Sequence, residues 1–334
     1  MGWIHKHCTI QRCSIKHIKS LLVIMITTCS LYAVYTNPNS TISKKQNIKS
    51  PPLDGAIKSD DEVLLRTLKK HYLYPPSSLP YNLTKDDGSN DGYFYQHRTF
   101  TSEMIDYYLQ HLFGNQRGGF FIEAGALDGQ FMSNSLWLEQ HLGWTGLLIE
   151  ADPYNFEFLE HKQRHAWISN TCISPDENPH VTTIESMQQL RKDVGGPWAF
   201  RARSKLFSSD SVNPEKFEQL TTRSFSQVQC FPLASYLFAL NVSTVDFFSL
   251  DIQGHEWDVL KAILPFTQLK IKSIVVEHYI KDIVDNEEVQ TKKIDYKFLE
   301  FMSRYNYSLI DIDEDQNYFF VLFSEKSLLD KGVK

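Results

Sequence analysis

The chain has few cysteines, no excess of charge of one sign and no apolar run long enough for an ordinary membrane span. Five cysteines in 334 residues exclude a disulfide scaffold. Four of the residues that bind zinc best, His5, His7, Cys8 and Cys13, cluster with His17 near the start, but their spacing is not that of a metal site, so no metal is expected. With 34 basic against 40 acidic residues the formal net charge is −6, which gives no global attraction to nucleic acid. The Gly-x-Gly-x-x-Gly pattern that seats a pyrophosphate on a helix N-terminus is also missing, which argues against a dinucleotide. Internal repeats and long low-complexity tracts are absent.

The longest uncharged apolar stretch runs from Leu21 to Tyr35. A helix of that length spans about 22 Å, short of the roughly 30 Å of bilayer hydrocarbon, so it reads as a marginal span or a signal-peptide core. Lys6, Arg12, Lys16 and Lys19 precede it. An uncleaved signal-anchor, a cleaved signal and a chance apolar run all remain open, and the first two both send the rest of the chain into the secretory lumen, because positive charge stays cytosolic. The expectation is a type II protein with a cytosolic basic tail over residues 1–20, an anchor over 21–35 and a lumenal stem over 36–90. The globular domain is expected over 91–326, with a short tail behind it. The N-terminal segment then makes the membrane a partner. The compartments consistent with this are the endoplasmic reticulum, Golgi, endosome and plasma membrane.

Sequons at Asn39, Asn82, Asn241 and Asn306 are compatible with a lumenal domain. Cys8 and Cys13 fall on the cytosolic side and Cys29 within the apolar run. Cys172 and Cys230 are the lumenal pair, and an oxidising lumen favours their disulfide if their strands are neighbours, a distance the sequence does not show.

Past the Asn-, Ser-, Lys- and Pro-rich stem, Asp60 and Asp61 cap a helix bearing Val63, Leu64, Leu68 and Tyr72, stopped by Pro75 and Pro76. Met104, Ile105, Tyr108, Leu109, Leu112 and Phe113 form one apolar helical stripe over residues 102–113. Strands are expected at Phe120 to Glu123, Gly146 to Glu150, Trp167 to Ile173, Gln227 to Phe231, Val245 to Asp251 and Ile274 to Glu277, with helices between them. Val245 to Asp251 is apolar almost throughout, as a strand buried on both faces is. Tyr307 to Ile312 and Tyr318 to Phe323 read as an antiparallel hairpin. Strand and helix in alternation with a terminal hairpin predict a three-layer α/β domain on a mostly parallel sheet. Residues 176–223 are irregular, with Arg191, Lys192, Arg201, Arg203 and Lys205 around Trp198 and Phe200. They suit either a lid or partner surface, or a solvated insertion with one or two edge strands.

Chemistry concentrates after the first strand. Glu123, Gly125 and Gly129 make a turn where the backbone can approach a ligand closely. Glu150, about 20 residues past Gly129 at the end of the second strand, is placed to grip both hydroxyls of a ribose. A nucleoside without phosphate suits this pair of acids, since two carboxylates would repel a pyrophosphate.

Three segments, Phe-Ile-Glu-Ala-Gly-Ala-Leu-Asp-Gly129, Leu-Leu-Ile-Glu-Ala-Asp-Pro153 and Phe-Ser-Leu-Asp-Ile-Gln-Gly-His-Glu256, resemble the signature segments of the FkbM-type methyltransferase family, over roughly residues 118–325. The resemblance implies a class I S-adenosylmethionine methyltransferase fold, Rossmann-like, with S-adenosylmethionine as cofactor. Glu123, Gly125, Asp128, Gly129, Glu150 and Asp251 would then line the cofactor. Asp251, His255 and His278, near the C-terminal edge of the sheet, are the candidates for a catalytic base. The family commonly carries Asp-x-Glu-Gly-x-Glu where this chain has Gln253 at the middle acid. The tail, apolar segment, stem and Ser-Asn-Ser-Leu-Trp-Leu-Glu139 resemble the membrane-anchored Star group within that family, which implies a second reading: a non-catalytic factor whose lumenal domain binds protein cargo for vesicle-mediated export.

Overall fold

A computed structural model describes residues 52–85, 103–189, 202, 204–206, 221–278, 280–284, 287–291, 295–314 and 319–325. The chain divides into two units, Met1–Ile42 and Ser43–Lys334. The first unit, with the apolar run and the Asn39 sequon, lies outside the described residues, as do Arg191, Lys192, Trp198, Phe200, Arg201 and Arg203. Among the described residues no helix is long and apolar enough to cross a membrane.

In chain order the elements are α1 (Glu62–His71), α2 (Glu103–Phe113), β1 (Phe120–Ala124), α3 (Leu136–Leu142), β2 (Thr145–Ile149), α4 (Pro153–His161), β3 (Trp167–Ser169), β4 (Cys172–Ile173), β5 (His180–Gln189), β6 (Lys205–Leu206) and β7 (Thr221–Phe231). They continue with α5 (Leu233–Leu240), β8 (Thr244–Leu250), α6 (Glu256–Ile263), β9 (Lys270–Glu277), β10 (Ile280–Val284), β11 (Glu287–Thr291), α7 (Tyr296–Arg304), β12 (Tyr307–Glu314) and β13 (Phe319–Glu325). Seven strands form the main sheet in the order β3-β2-β1-β8-β9-β13-β12. β1, β2, β3, β8 and β9 run parallel, while β13 runs antiparallel to β9 and to β12. The chain winds outward from β1 through β2 and β3, then returns to the other side of β1 with β8. That reversal makes β1 and β8 the switch point, where an open parallel sheet leaves a crevice at its carboxyl ends.

Alternation along the central strands divides the core in two, because successive side chains point to opposite faces. Ile122, Leu147, Ile149, Phe248, Leu250, Ile274 and Val276 pack on one face with α1, α5, α6 and α7. Phe121, Leu148, Phe247 and Val275 pack on the other with α2, α3 and α4. Both faces of β8 are therefore covered, and this is why its sequence is apolar almost throughout.

The structure departs from the sequence expectations in four places. Helix α1 is part of the domain: Leu64, Leu68, Tyr72 and Leu73 are buried in the main core, so the packed body begins well before residue 91. Burying each leucine contributes about 1.5–3 kcal/mol, which a free stem would forgo. The strand expected at Trp167 to Ile173 is two strands in two sheets. Asn170 donates from Nδ2 to the carbonyls of Glu150 at 2.8 Å and Ala151 at 3.3 Å, turning the chain so that β3 joins β2 while β4 joins β7. The irregular stretch contains the long strand β5, which with β4, β6 and β7 makes a second, four-stranded sheet. The hairpin of β10 and β11 was not expected at all; its strands are mostly polar and carry no sustained alternation.

Cys172 and Cys230 are register partners on parallel β4 and β7 and form a disulfide, with Cα atoms 4.3 Å apart. The N-terminus of α1 is capped as its sequence predicts, Asp61 Oδ1 accepting from the amides of Val63 at 2.8 Å and Leu64 at 3.0 Å. Asp61→Ala is expected to cost about 1 kcal/mol, read as a lower urea midpoint with unchanged slope.

Candidate functional site

A cleft of about 990 Å³, counted to its open mouth, lies at the switch point. Its floor comes from the ends of β1, β2 and β8, through Glu123, Gly125, Glu150, Ser249 and Asp251. One wall is the turn after β1, with Leu127, Phe131 and Asn134; the opposite wall comes from the second sheet, with Thr171, Cys172, Ile173, Ile184 and Leu206. Four of the residues read from the sequence, Glu123, Gly125, Glu150 and Asp251, meet here.

Gly125 turns the chain out of β1 with φ +81°, and a Cβ built on it would lie 1.8 Å from the carbonyl oxygen of Asp251. The backbones of the β1 and β8 exits touch at this point, and Asp251 N donates to Ala124 O at 3.1 Å. Only glycine fits, for conformational and steric reasons together.

Glu150 is buried and ties the two loops that flank the cleft. Its Oε2 accepts from Leu127 N at 2.7 Å and its Oε1 from Asp152 N at 2.8 Å. Burial, with Asp152 adding negative charge, pushes its carboxyl up to about 8, against the pull of these donors. Glu123 is also buried, and its oxygens accept from Ser133 Oγ at 2.8 Å, Asn134 N at 2.9 Å and Ser135 Oγ. It lines the cleft while spending its hydrogen bonds on holding the start of α3. Burial raises its carboxyl; Arg164 and these donors pull the other way.

Asp251 is half-buried at the floor. Gln253 Nε2 donates to Asp251 Oδ1 at 2.8 Å and to Glu277 Oε2 at 2.6 Å, so the amide at the family's middle acid position bridges two carboxyls. Burial raises the Asp251 carboxyl, offset by hydrogen bonds from Glu277 and Gln253. Asp251, Glu256 and Glu277 place oxygens within 4.8 Å of one another. Glu256 takes the amides of Ile252 at 2.9 Å and Gly254 at 3.0 Å, and burial pushes it up to about 7.

The other residues read from the sequence lie outside the cleft lining. Asp128 is fully buried under the glycine turn, accepting from Gln130 N at 2.9 Å and Phe131 N at 2.7 Å. Gly129 has φ +74° and completes that turn. His255 sits at the start of α6, 4.0 Å from Asp258. His278 stacks on Phe298 at 4.2 Å and reaches Asp295 at 3.2 Å, and burial lowers its pKa. Neither imidazole lines the cleft.

Sequence reasoning missed Arg164, whose guanidinium is buried beneath the turn. It donates to Gly129 O and Ser133 Oγ, and pairs with Glu139 at 3.0 Å. It also missed Ser204, whose Oγ donates to Asp152 Oδ2 at 2.6 Å and pins β6 beside the end of β2. Only its place in the stretch flagged as a lid or partner surface pointed to it.

The Methyltransferase FkbM domain matches residues 123–309, which is more than half of the chain and spans Glu123, Glu150 and Asp251. The chain belongs to the FkbM methyltransferase family. Its parallel core, switch point and antiparallel β13 are the Rossmann-like fold expected of that family. Similar solved structures include an S-adenosylmethionine-dependent methyltransferase from Aquifex aeolicus, 10% identical, covering 72% of this chain and 98% of that one at a TM-score of 0.33. TehB from Haemophilus influenzae is 9% identical, covering 71% and 67% at 0.36. The methyltransferase FkbM from Methylobacillus flagellatus is 10% identical, covering 71% and 50% at 0.34. Among curated proteins no match is found. Membership rests on the matched FkbM domain, and the fold on the strand order.

Proposed function

We propose that the cleft binds S-adenosylmethionine and serves an O-methyl transfer to a hydroxyl of a glycan, lipid or protein. The observation that carries this is the junction of Gly125 with the Asp251 carbonyl, which leaves bare backbone where a side chain would fill the floor, beside an acid at the end of β2. The residues present fit the cofactor. Gly125 and the turn after it would hold the amino acid end, and Glu150 the ribose hydroxyls. The bound sulfonium supplies an electrophilic methyl group. Asp251, half-buried and with its carboxyl raised by burial, is the group that would take the acceptor's proton.

A calorimetric titration with S-adenosylhomocysteine tests the reading. Saturable heat is expected, and its absence in the unmutated protein removes the cofactor. Glu150 adds a pH dependence. Its folded pKa of about 8 lies above the ordinary carboxylate range, so its stabilising contribution is complete in acid and is lost as the pH rises through that value. Hydroxyls donating to the carboxylate favour the ionised form. Affinity should therefore rise about tenfold from about pH 7 to about pH 9, and Glu150→Gln should flatten the profile.

One observation favours a second reading, in which the domain binds cargo for export without turnover. Glu123, Glu150 and Asp251 all take donors from the protein itself, and among the described residues no imidazole lines the cleft. Retained binding with no methyl transfer to any acceptor class would fit this reading. Placement of the domain in the lumen of the secretory pathway, behind an N-terminal membrane segment, is supported by the Cys172–Cys230 disulfide. The exposure of Asn82, Asn241 and Asn306 agrees with it. Digestion of the domain by protease added outside intact microsomes would overturn that placement.

A further inference from the structure

Residues 74–84 precede the FkbM match, yet they run along the back of the glycine turn. Tyr74 and Ile168 exchange backbone hydrogen bonds at 2.9 and 3.1 Å, Ser77 N donates to Arg164 O at 3.0 Å, and Asn82 N to Lys162 O at 2.9 Å. The strap then makes two contacts with side chains that hold the turn. At Thr84, the amide donates to Gln130 Oε1 at 2.7 Å and the carbonyl accepts from Gln130 Nε2 at 3.0 Å, so the glutamine side chain pairs with the strap as a neighbouring strand would. Lys162 Nζ donates to Thr84 Oγ1 at 2.6 Å and to Gln130 Oε1 at 2.7 Å, and pairs with Asp128 at 3.2 Å. Asp128 in turn accepts the amides of Gln130 and Phe131.

At Tyr81, the ring stacks on His165 with centroids 4.1 Å apart, and the amide of His165 donates to Glu139 Oε1 at 2.7 Å; burial and the Glu139 carboxylate nearby raise the Tyr81 hydroxyl's pKa. Glu139 pairs with Arg164, which bonds Gly129 O, Ser133 Oγ and Ser135 Oγ; the two serines hold Glu123. Both chains of contacts end on a segment whose Leu127, Phe131 and Asn134 line the cleft. Lys162, Asp128, Gln130, Glu139 and Arg164 are all buried, so water does not substitute for a lost partner.

We infer that the strap is a positioning element of the ligand site: Tyr81 and Thr84 hold the glycine turn in its binding conformation through Glu139–Arg164 and Lys162–Asp128. The inference rests on the reading that the cleft takes S-adenosylmethionine. Breaking the two contacts leaves the sheet and both core clusters intact while the turn loosens.

The test compares the full-length chain with Tyr81→Ala/Thr84→Val, Thr84→Ser and Leu79→Ala, by calorimetry with S-adenosylhomocysteine and by amide hydrogen exchange. The double variant should bind about tenfold or more weakly. Its Leu127, Gln130 and Phe131 amides should exchange faster, while amides in β8 keep their protection. Thr84→Ser, which retains the hydroxyl, and Leu79→Ala, which trims an exposed side chain, should bind as the unmutated chain does. Affinity within about twofold in the double variant, or unchanged exchange at the turn, overturns the inference. No heat from the unmutated chain instead overturns the cofactor reading, and this inference with it.

Discussion

Gly125→Ala is expected to abolish measurable binding of S-adenosylhomocysteine, a loss of about 100-fold or more, and to lower the melting temperature. Two costs fall on the same atom. The residue has φ +81°, and a left-handed conformation costs an L-residue about 1–2 kcal/mol before any contact is considered. The added methyl would lie 1.8 Å from Asp251 O and 3.0 Å from its carbonyl carbon. These are backbone atoms with no rotamer to move into. Relief requires the β1 and β8 exits to separate, which breaks the bond from Asp251 N to Ala124 O and shifts Asp251, so floor and candidate base are displaced together. Gly129→Ala is the control. Its φ of +74° carries a similar backbone cost, but its Cβ would meet Leu159 Cδ1 at 2.4 Å, the end of a side chain that can rotate away. Gly129→Ala should therefore weaken binding less than Gly125→Ala. Equal affinities for Gly125→Ala and the unmutated domain would show that the cleft floor is not where the ligand sits.

Much of the frame was legible because it depends on local pattern. β1, β2 and β8 are apolar, short and bounded by turns, while Tyr307 to Ile312 of β12 and the apolar run of β13 are separated by the polar Asp313 to Asn317. Glu123, Gly125, Glu150 and Asp251 could be singled out because each sits at the end of a strand, and this topology brings them to one cleft. What was hidden depends on contacts distant in the chain. Nothing near Arg164 announces that its guanidinium will reach Gly129, 35 residues away, or that Tyr81 will sit beside Glu139. Asp128 shows the converse: its position inside the motif suggested a ligand contact, yet its carboxylate is satisfied by two turn amides and Lys162. The second sheet was read only at the end of β7, because β5 alternates weakly and its pairing with β7 and β6 joins stretches distant in the chain. Helix α1 was read as part of a stem because a polar tract precedes it, although its leucine spacing already required a surface to cover.

The second large effect concerns the wall opposite the glycine turn. Replacing both Cys172 and Cys230 with serine should destabilise the domain by about 4 kcal/mol, because the bridge closes a long loop that gains entropy in the unfolded chain. The partners are separated by 58 residues, a span that contains all of β5 and β6. For a domain of this size the cost corresponds to a melting temperature lower by about 10 °C. The effect should reach the site, because Cys172 lines the cleft between Thr171 and Ile173 and packs with Ile184, Val228 and Leu206. Without the bridge β4 is left with a two-residue pairing to β7, the bond from Ser174 N to Phe231 O at 2.8 Å and that from Tyr236 Oη to Cys172 O at 3.1 Å, so the wall loosens and affinity for S-adenosylhomocysteine should fall with stability. Reductant separates the bond from the side chains: it should lower the melting temperature of the unmutated protein toward that of the double variant and leave the variant unchanged. If reductant shifts neither protein, the bridge does not form in solution, and the argument from it for an oxidising compartment is lost, whereas the Gly125 and Glu150 arguments for the ligand stand unchanged.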